Sequence, residues 1–383
     1  MIQRELQHQV SKAAANYPSV TIFGPRQSGK TTLAKSLFPD YSYANLEDGE
    51  TRNLAITDYK AFFVRFPPPI VIDEVQKVPE IASAIQVLID GNRSAKGQFI
   101  LTGSHQPRLA QTVSQSLAGR TSVLTLYPPH IAELGGAGGM PTDELLCRGF
   151  MPELHAEPGR DAYDYHRNYF ALYVERDVRQ MVNVKDLIAF ERFVRLLAGR
   201  IGQVVNMQGL AGETGISATT VSQWISILEA SFLVFRLPPH FSNISKRLVK
   251  SPKIYFADVG LAAYLLGIET PSQMTRDPLR GHLFENMVVA DAWKRRAHAG
   301  REPNLSFLRT EKGFEIDLIM ESGRDVRPVE IKSAMTWRNE FASALRRYAD
   351  ETPGCVRPTV VYDGGEIRFS DGLAALNFRD FGE

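Results

Sequence analysis

The stretch Ser19-Val-Thr-Ile-Phe23-Gly24-Pro25-Arg26-Gln27-Ser28-Gly29-Lys30-Thr31-Thr32 decides how the first third of the chain is read. It fits G-x-x-x-x-G-K-S/T, entered by a short apolar run and left by a segment, Lys30–Phe38, that reads as a helix with Pro39 just past it. Glycines let the backbone curl until several N–H groups face one point, and the start of a helix adds positive dipole character there. Such a loop cradles phosphates. Gly24, Pro25, Arg26, Gln27, Ser28, Gly29, Lys30, Thr31 and Thr32 are therefore the expected nucleotide-binding residues. Lys30 supplies a cation for the β and γ phosphates, and the Thr31 hydroxyl a ligand for magnesium. ATP and Mg2+ are the expected cofactors.

A second motif stands apart from the first. In Ile70-Val-Ile-Asp73-Glu74 an apolar strand runs into two carboxylates. Ligands of α/β sheets bind at that end of a strand. Asp73 is expected in the magnesium shell and Glu74 as general base on the attacking water. A third strand, Gln98–Thr102, leads to Gly103-Ser104. Thr102 and Ser104 are both candidates for placing that water near the γ phosphate, against the alternative of a hydroxyl that only caps a loop. In Ser116-Leu-Ala-Gly119-Arg120 the arginine is either a finger that reaches the γ phosphate of a neighbouring subunit or a structural arginine paired with an acid. The finger implies a homo-oligomer with ATP at subunit interfaces. Arg26 is a further cation, facing phosphate or a carboxylate.

Around these motifs strand and helix alternate: Tyr41–Leu46 as strand, Ile81–Ile89 as helix, Val123–Leu126 as strand. That pattern predicts an α/β fold with a parallel sheet covered on both faces. Gly135, Gly136, Gly138 and Gly139 mark a break near residue 137. Residues 138–200 are expected to be helical, with apolar residues at helical spacing in Tyr169–Val182 and Leu187–Leu197.

Residues 201–256 resemble a winged helix-turn-helix. Met207–Thr214 reads as one helix, Gly215 as the turn and Ser217–Ala230 as the second helix, with Ser217 as N-cap and an apolar stripe of Ile216, Val221, Ile225 and Leu228. Thr219, Thr220, Ser222, Gln223 and Ser226 form the polar face offered to a DNA groove. A hairpin-like segment, Phe232–Leu237, precedes a basic tract of Lys246, Arg247, Lys250 and Lys253 that would contact phosphates without reading sequence. The alternative is a packing domain with solvated basic residues.

From 257 to 383 the pattern returns to mixed α/β. Glu285 falls on a helix, His282–Lys294. Asp317 falls on an alternating strand, Phe314–Met320. Glu330 and Lys332 close a second strand from Val326, after a turn at Ser322-Gly323-Arg324. Residues two apart on a strand share a face, so Glu330 and Lys332 project together, with Asp317 across the hairpin. Glu285, Asp317, Glu330 and Lys332 stand in the order of the PD-(D/E)xK nuclease superfamily. That resemblance implies magnesium on Glu285, Asp317 and Glu330, and Lys332 either on the attacking water or on the developing charge. Lys294-Arg295-Arg296 is a candidate for holding nucleic acid nearby. An inactive binding module with the same fold is the alternative.

Together, Gly24–Leu33, IVIDEVQKVP, FILTGS and SLAGR resemble the AAA+ family of ATP-binding proteins whose C-terminal half carries the DUF4143 region. The resemblance continues through Arg148–Glu153, Tyr173–Val178 and Pro252–Leu261. It implies an ATPase core over 1–137 with a helical lid over 138–200, and it places Arg120 at the family's glycine-arginine motif.

Composition bounds the rest. The 383 residues carry 44 Lys and Arg against 43 Asp and Glu, so no global charge favours nucleic acid or membrane. Cys147 and Cys355 lie far apart without metal-ligand spacing. The N-terminal segment lacks the apolar core of a signal peptide, and no apolar run reaches the ~20 residues of a membrane helix. A cytoplasmic protein is expected.

Overall fold

A computed structural model describes residues 2–104, 115–135, 139–174, 187–240, 250–352 and 354–382. The chain divides into two compact units. One comprises Met1–Pro129 with Ala230–Phe232 and Lys294–Arg301; the other comprises His130–Glu229, Leu233–Trp293 and Glu302–Glu383.

The first unit is built from α1 (Leu6–Asn16), β1 (Ser19–Phe23), α2 (Lys30–Leu37), β2 (Ser42–Asn45), α3 (Gly49–Thr57), α4 (Tyr59–Arg65), β3 (Ile70–Asp73), α5 (Ile81–Gly91), β4 (Phe99–Gly103) and β5 (Thr121–Thr125). The strands form one parallel sheet in the order β2-β3-β4-β1-β5. Every residue of β1, β3 and β4 is buried, as expected for central strands covered on both faces. Alternation along each strand feeds two cores. Ile70, Ile72, Phe99 and Leu101 pack with Phe62 and Ile85, while Val71, Ile100, Val20 and Ile22 pack with Leu6, Val10 and Leu33. β5 starts two residues earlier than its apolar run suggests. Thr121 pairs with Ser19, and its hydroxyl meets that of Thr21 at 3.0 Å, so polar β-branched residues extend the ladder.

The second unit opens with helices α6 (Thr142–Arg148), α7 (Pro152–Ala156), α8 (Ala162–Tyr169) and α9 (Leu187–Ala198). The helix expected over Tyr169–Val182 ends at Tyr169 and gives way to a π-helical turn, Phe170–Val174; its remainder lies outside the described residues. α10 (Met207–Thr214), left-handed Gly215 and α11 (Ala218–Ala230) follow, with the Thr220 N–H donating to Ser217 Oγ at 3.0 Å. Val221, Ile225 and Leu228 are buried as expected, joined by Trp224 and Ile227. Thr219, Ser222, Gln223 and Ser226 are exposed and Thr220 is half-buried. Phe232–Leu237 is not a hairpin. Phe232 is a left-handed turn residue, and Val234–Leu237 is a single strand, β6, whose antiparallel partner is β7 (Lys253–Phe256).

Then come α12 (Val259–Leu265), α13 (Pro271–Arg276) and α14 (Arg280–His298), followed by β8 (Leu305–Arg309), β9 (Glu315–Ser322), β10 (Asp325–Lys332), α15 (Ser343–Glu351), β11 (Thr359–Tyr362), β12 (Ile367–Arg368) and β13 (Ala374–Asn377). Their strands form a mixed sheet ordered β12-β13-β11-β10-β9-β8. Segments 148–153 and 252–261 are packed on one another. Asp258 accepts from the Phe150 N–H at 2.7 Å and the Leu261 N–H at 3.1 Å. A Cβ on Gly149 would lie 2.2 Å from Asp258 Oδ1, and one on Gly260 2.4 Å from His166 Nε2, so these glycines serve close approach. Of the Tyr173–Val178 motif, residues 175–178 lie outside the described residues.

Candidate active site

The parallel sheet brings the ends of β1, β3 and β4 to one edge, and the residues expected to bind phosphate lie there. Gly24 follows β1 with no room for a side chain: a Cβ would sit 2.1 Å from the Leu126 carbonyl oxygen. Gln27 and Gly29 have positive φ and curl the loop into α2. Lys30 is buried, and its ammonium donates to the Gly24 carbonyl at 3.1 Å and the Pro25 carbonyl at 2.7 Å. Arg26 is half-buried, Gln27 is exposed on the loop, and Thr32 is exposed in the first turn of α2. Ser28 Oγ is fully buried and has no hydrogen-bond partner among the described residues.

Asp73, at the tip of β3, is the hub. Its Oδ2 accepts from the Thr31 hydroxyl at 2.8 Å and the Tyr43 hydroxyl at 2.9 Å, and its Oδ1 accepts from the Thr102 hydroxyl. The Tyr43 phenol is pushed above its ordinary pKa, by burial first and then by Asp73 and Glu74, so it remains a donor. Glu74 has a left-handed backbone, φ 57°, which turns its side chain off the strand direction. Its carboxylate accepts from Gln76 Nε2, which also donates to Ser104 Oγ at 2.9 Å. Thr102 thus contacts Asp73 directly, while Ser104 is linked to Glu74 through Gln76.

These residues fit magnesium nucleotide. The Thr31 hydroxyl and the Asp73 carboxylate are hard oxygen donors already in contact, as Mg2+ requires. Lys30 and the unpartnered Ser28 hydroxyl line the loop where phosphate would lie.

Arg120 lies elsewhere. It immediately precedes β5, and the Ser19 N–H bonds to its carbonyl at the start of β1, so it stands at the opposite edge of the sheet from Gly24. Five residues of strand separate the edges by about 17 Å. Its guanidinium grips Asp90 through contacts of 2.9–3.0 Å. Its guanidinium is thereby held away from the phosphate loop of the same chain.

Two residues of this site escaped the sequence reading. Arg4 is buried and donates to the Ser28 carbonyl at 2.8 Å and the Tyr127 carbonyl at 2.6 Å, fixing the loop from outside. Tyr43 lies on β2, two residues before Asn45, the register partner of Asp73. Adjacency of β2 to β3 would have revealed it; nothing local marks Arg4.

The second unit assembles the acidic set. Register between β9 and β10 pairs Leu318 with Val329, and one step further sets Asp317 across from Glu330. Lys332 Nζ donates to Glu330 Oε2 at 2.7 Å and Asp317 Oδ2 at 3.4 Å, and the Ile331 N–H donates to Asp317 at 2.8 Å. Burial pushes Glu330 well above the usual carboxylate range, and Asp317 adds to the push. Burial also works against Asp317, but the Lys332 and Lys253 ammoniums outweigh it and hold Asp317 low.

Glu285, on α14, is engaged separately. Its Oε1 accepts from Lys253 Nζ at 3.1 Å and the Tyr255 hydroxyl at 2.6 Å. Burial pushes it up to about 7 against the pull of Lys253. Glu285, Asp317 and Glu330 do not form a group whose ligand atoms all lie within 4.8 Å of one another.

Three basic expectations are corrected here. Lys253 is 1% exposed and pairs with Glu315 at 2.7 Å as well as with Glu285. Lys294 and Arg296 are buried, Lys294 donating to the Pro129 carbonyl at 3.4 Å, and both fall in the first unit while Asp317 falls in the second. Buried ammonium needs partners, and β7 and α14 place these cations among them. Lys250 is exposed; Lys246 and Arg247 lie outside the described residues. Lys253 and Tyr255 share one face of β7 by period two, as Glu315 and Asp317 do on β9, a signal present in the sequence.

The sequence matches an AAA domain over residues 16–135, a domain of unknown function (DUF8612) over 141–272 and another (DUF4143) over 280–381. The uncharacterized protein Rv2008c of Mycobacterium tuberculosis is 30% identical over 381 residues, which span 98% of this chain and 83% of that one. The chain belongs to the family of AAA-type ATPases with a C-terminal DUF4143 domain. Uncharacterized protein Mb2031c of Mycobacterium bovis matches to the same extent. Among solved structures, the Walker-type ATPase PABY2304 of Pyrococcus abyssi is similar, with a TM-score of 0.47, 14% identity and coverage of 69% of this chain and 96% of that one. Within this family member, Gly24–Thr32, Asp73 and Glu74 fall in the AAA domain, and Glu285, Asp317, Glu330 and Lys332 fall in the DUF4143 domain. Lys253 and Tyr255 come from the DUF8612 segment. Among the described residues, no helix is long and apolar enough to cross a membrane.

Proposed function

We propose that this chain binds Mg2+-ATP in the Gly24–Thr32 loop, hydrolyses it, and couples turnover to a DNA-associated, metal-dependent nuclease-like domain at its C-terminus. One observation carries the ATPase reading: Asp73 holds the hydroxyl of Thr31, so the end of the phosphate loop and the acidic strand already meet. Thr31 and Asp73 would hold Mg2+, which shields phosphate charge when bound. Lys30 binds phosphate oxygens. Glu74 takes the proton of the attacking water, with Gln76 and Ser104 setting its position. Arg120, held away from its own loop, serves a neighbouring subunit in a homo-oligomer.

The C-terminal reading draws on the hydrogen bonds of Lys332 to Asp317 and Glu330, three members of the sequence set. The α10–α11 pair with the β6–β7 ribbon supports a winged helix-turn-helix whose exposed Thr219, Ser222, Gln223 and Ser226 would face DNA. A second reading is a nucleotide-controlled binding switch that does not cut. The engagement of Glu285 by Lys253, and the burial of Lys294 and Arg296, favour it.

Cleavage of linear and circular DNA, single- and double-stranded, with Mg2+ or Mn2+ and with or without ATP, separates the two. Cleavage that disappears in Asp317→Ala establishes the nuclease, and Lys30→Ala shows whether ATP drives it. ATP hydrolysis without cleavage under any condition leaves the switch.

A further inference from the structure

Lys253 is the unusual cation of the second unit. It projects from β7 into the acidic cluster, is 1% exposed, and lies 3.1 Å from Glu285 Oε1 and 2.7 Å from Glu315 Oε1. The ring of Phe307 lies 5.3 Å from its ammonium. Despite burial, these partners keep it charged, with a pKa above the ordinary lysine value. Glu285 has little freedom to leave. Tyr255 holds the same oxygen, and Gly202, at φ +70°, approaches so closely that a Cβ there would stand 3.0–3.2 Å from the carboxylate.

The charges explain why a cation is needed. Glu285, Asp317 and Glu330 are paired with Lys253 and Lys332, and Glu315 with Lys253 and, at 3.3 Å, with Arg309. Lys332 serves Asp317 and Glu330; Lys253 serves Glu285 and Glu315. A divalent ion shared by Glu285, Asp317 and Glu330 would compete with the Lys253 ammonium for the Glu285 carboxylate.

We propose that Lys253 is the resident cation of this cluster, locking Glu285 to Glu315, and that a divalent metal enters only when Lys253 gives way. The proposal rests on the reading of Asp317, Glu330 and Lys332 as a nuclease-like set. It gives the DUF8612 segment, which carries Lys253, control over metal occupancy of the DUF4143 domain.

The test is a Mn2+ titration of the nucleotide-free full chain, reading free Mn2+ by electron paramagnetic resonance. Wild type and Asp317→Asn should give the same curve. Lys253→Met, an apolar side chain of similar length, should bind Mn2+ at least tenfold more tightly, about 1.4 kcal/mol. That gain should vanish in Lys253→Met with Asp317→Asn. Wild type binding as tightly as Lys253→Met, or a folded Lys253→Met that gains no site, overturns the proposal. Should Lys253→Met fail to fold, wild type against Asp317→Asn decides: equal curves support the lock, and weaker binding by Asp317→Asn overturns it. DNA cleavage assayed on the same samples separates the two ideas. Lys253→Met that gains Mn2+ through Asp317 without cutting DNA rejects the nuclease reading and leaves the lock in place.

Discussion

The hydroxyl of Thr31 donates to Asp73 Oδ2 at 2.8 Å, joining the first turn of α2 to the tip of β3. Two segments far apart in sequence thereby present a hydroxyl and a carboxylate as one unit. Tyr43 and Thr102 donate to the same carboxylate from the strands on either side, so Asp73 is held on three sides before any ligand arrives.

Tyr43→Phe removes one of these donors and leaves Thr31 and Thr102 in place. We expect a loss of about 1 kcal/mol in stability. The Mg2+ dependence of ATP turnover should also change, because Asp73 is less firmly placed. Thermal melting and a Mg2+ titration of turnover check this. Unchanged curves in both would show that the Tyr43 bond is immaterial.

Arg120→Ala should leave ATP binding intact while abolishing turnover, because Arg120 is held away from its own phosphate loop. Its bond to Asp90 is partly exposed, so the melting temperature should move little. Mixing Arg120→Ala with Lys30→Ala subunits should restore part of the activity at mixed interfaces. Wild-type turnover by Arg120→Ala alone would sink the finger assignment and leave Arg120 as a partner of Asp90.

Glu285 makes the second unit sensitive to pH. Its folded pKa of about 7 exceeds the ordinary value of 4.5, so the folded state binds more protons between those values. By linkage, its contribution to stability is full below about 4.5, declines as pH rises, and is lost above about 7. The groups facing it are Lys253 and Tyr255 from β7 and Asp317 from β9. Glu285→Gln cannot titrate, so the melting temperature of wild type relative to this variant should fall across that window. A difference that stays flat, or rises with pH, contradicts the assignment.

Much of the fold was legible where its signals are local. The glycine loop, the apolar run into Asp73 and the capped helix behind Ser217 each declare themselves within about ten residues. α10 appears with the bounds that its sequence predicts, and Ser217 caps α11 as its position suggests. Asp317, Glu330 and Lys332 were legible because a two-residue period and one turn bring them together. What failed was the reading of charge. Lys253, Lys294 and Arg296 sit in segments that look basic and solvated, yet burial and distant partners claim them. Lys253 finds Glu285 on a helix and Glu315 on a strand far along the chain, and no local pattern encodes that meeting. Arg4 is similar: its partners are two main-chain carbonyls, which carry no sequence signature.

The most direct test of the central claim is phosphate release from Mg2+-ATP by wild type and Glu74→Gln, with nucleotide binding measured on both. The account predicts that wild type turns over and that Glu74→Gln binds ATP comparably but hydrolyses it at least about 100-fold more slowly, as loss of a general base requires. Hydrolysis by Glu74→Gln at the wild-type rate, or a wild type that binds ATP without turnover, would contradict it.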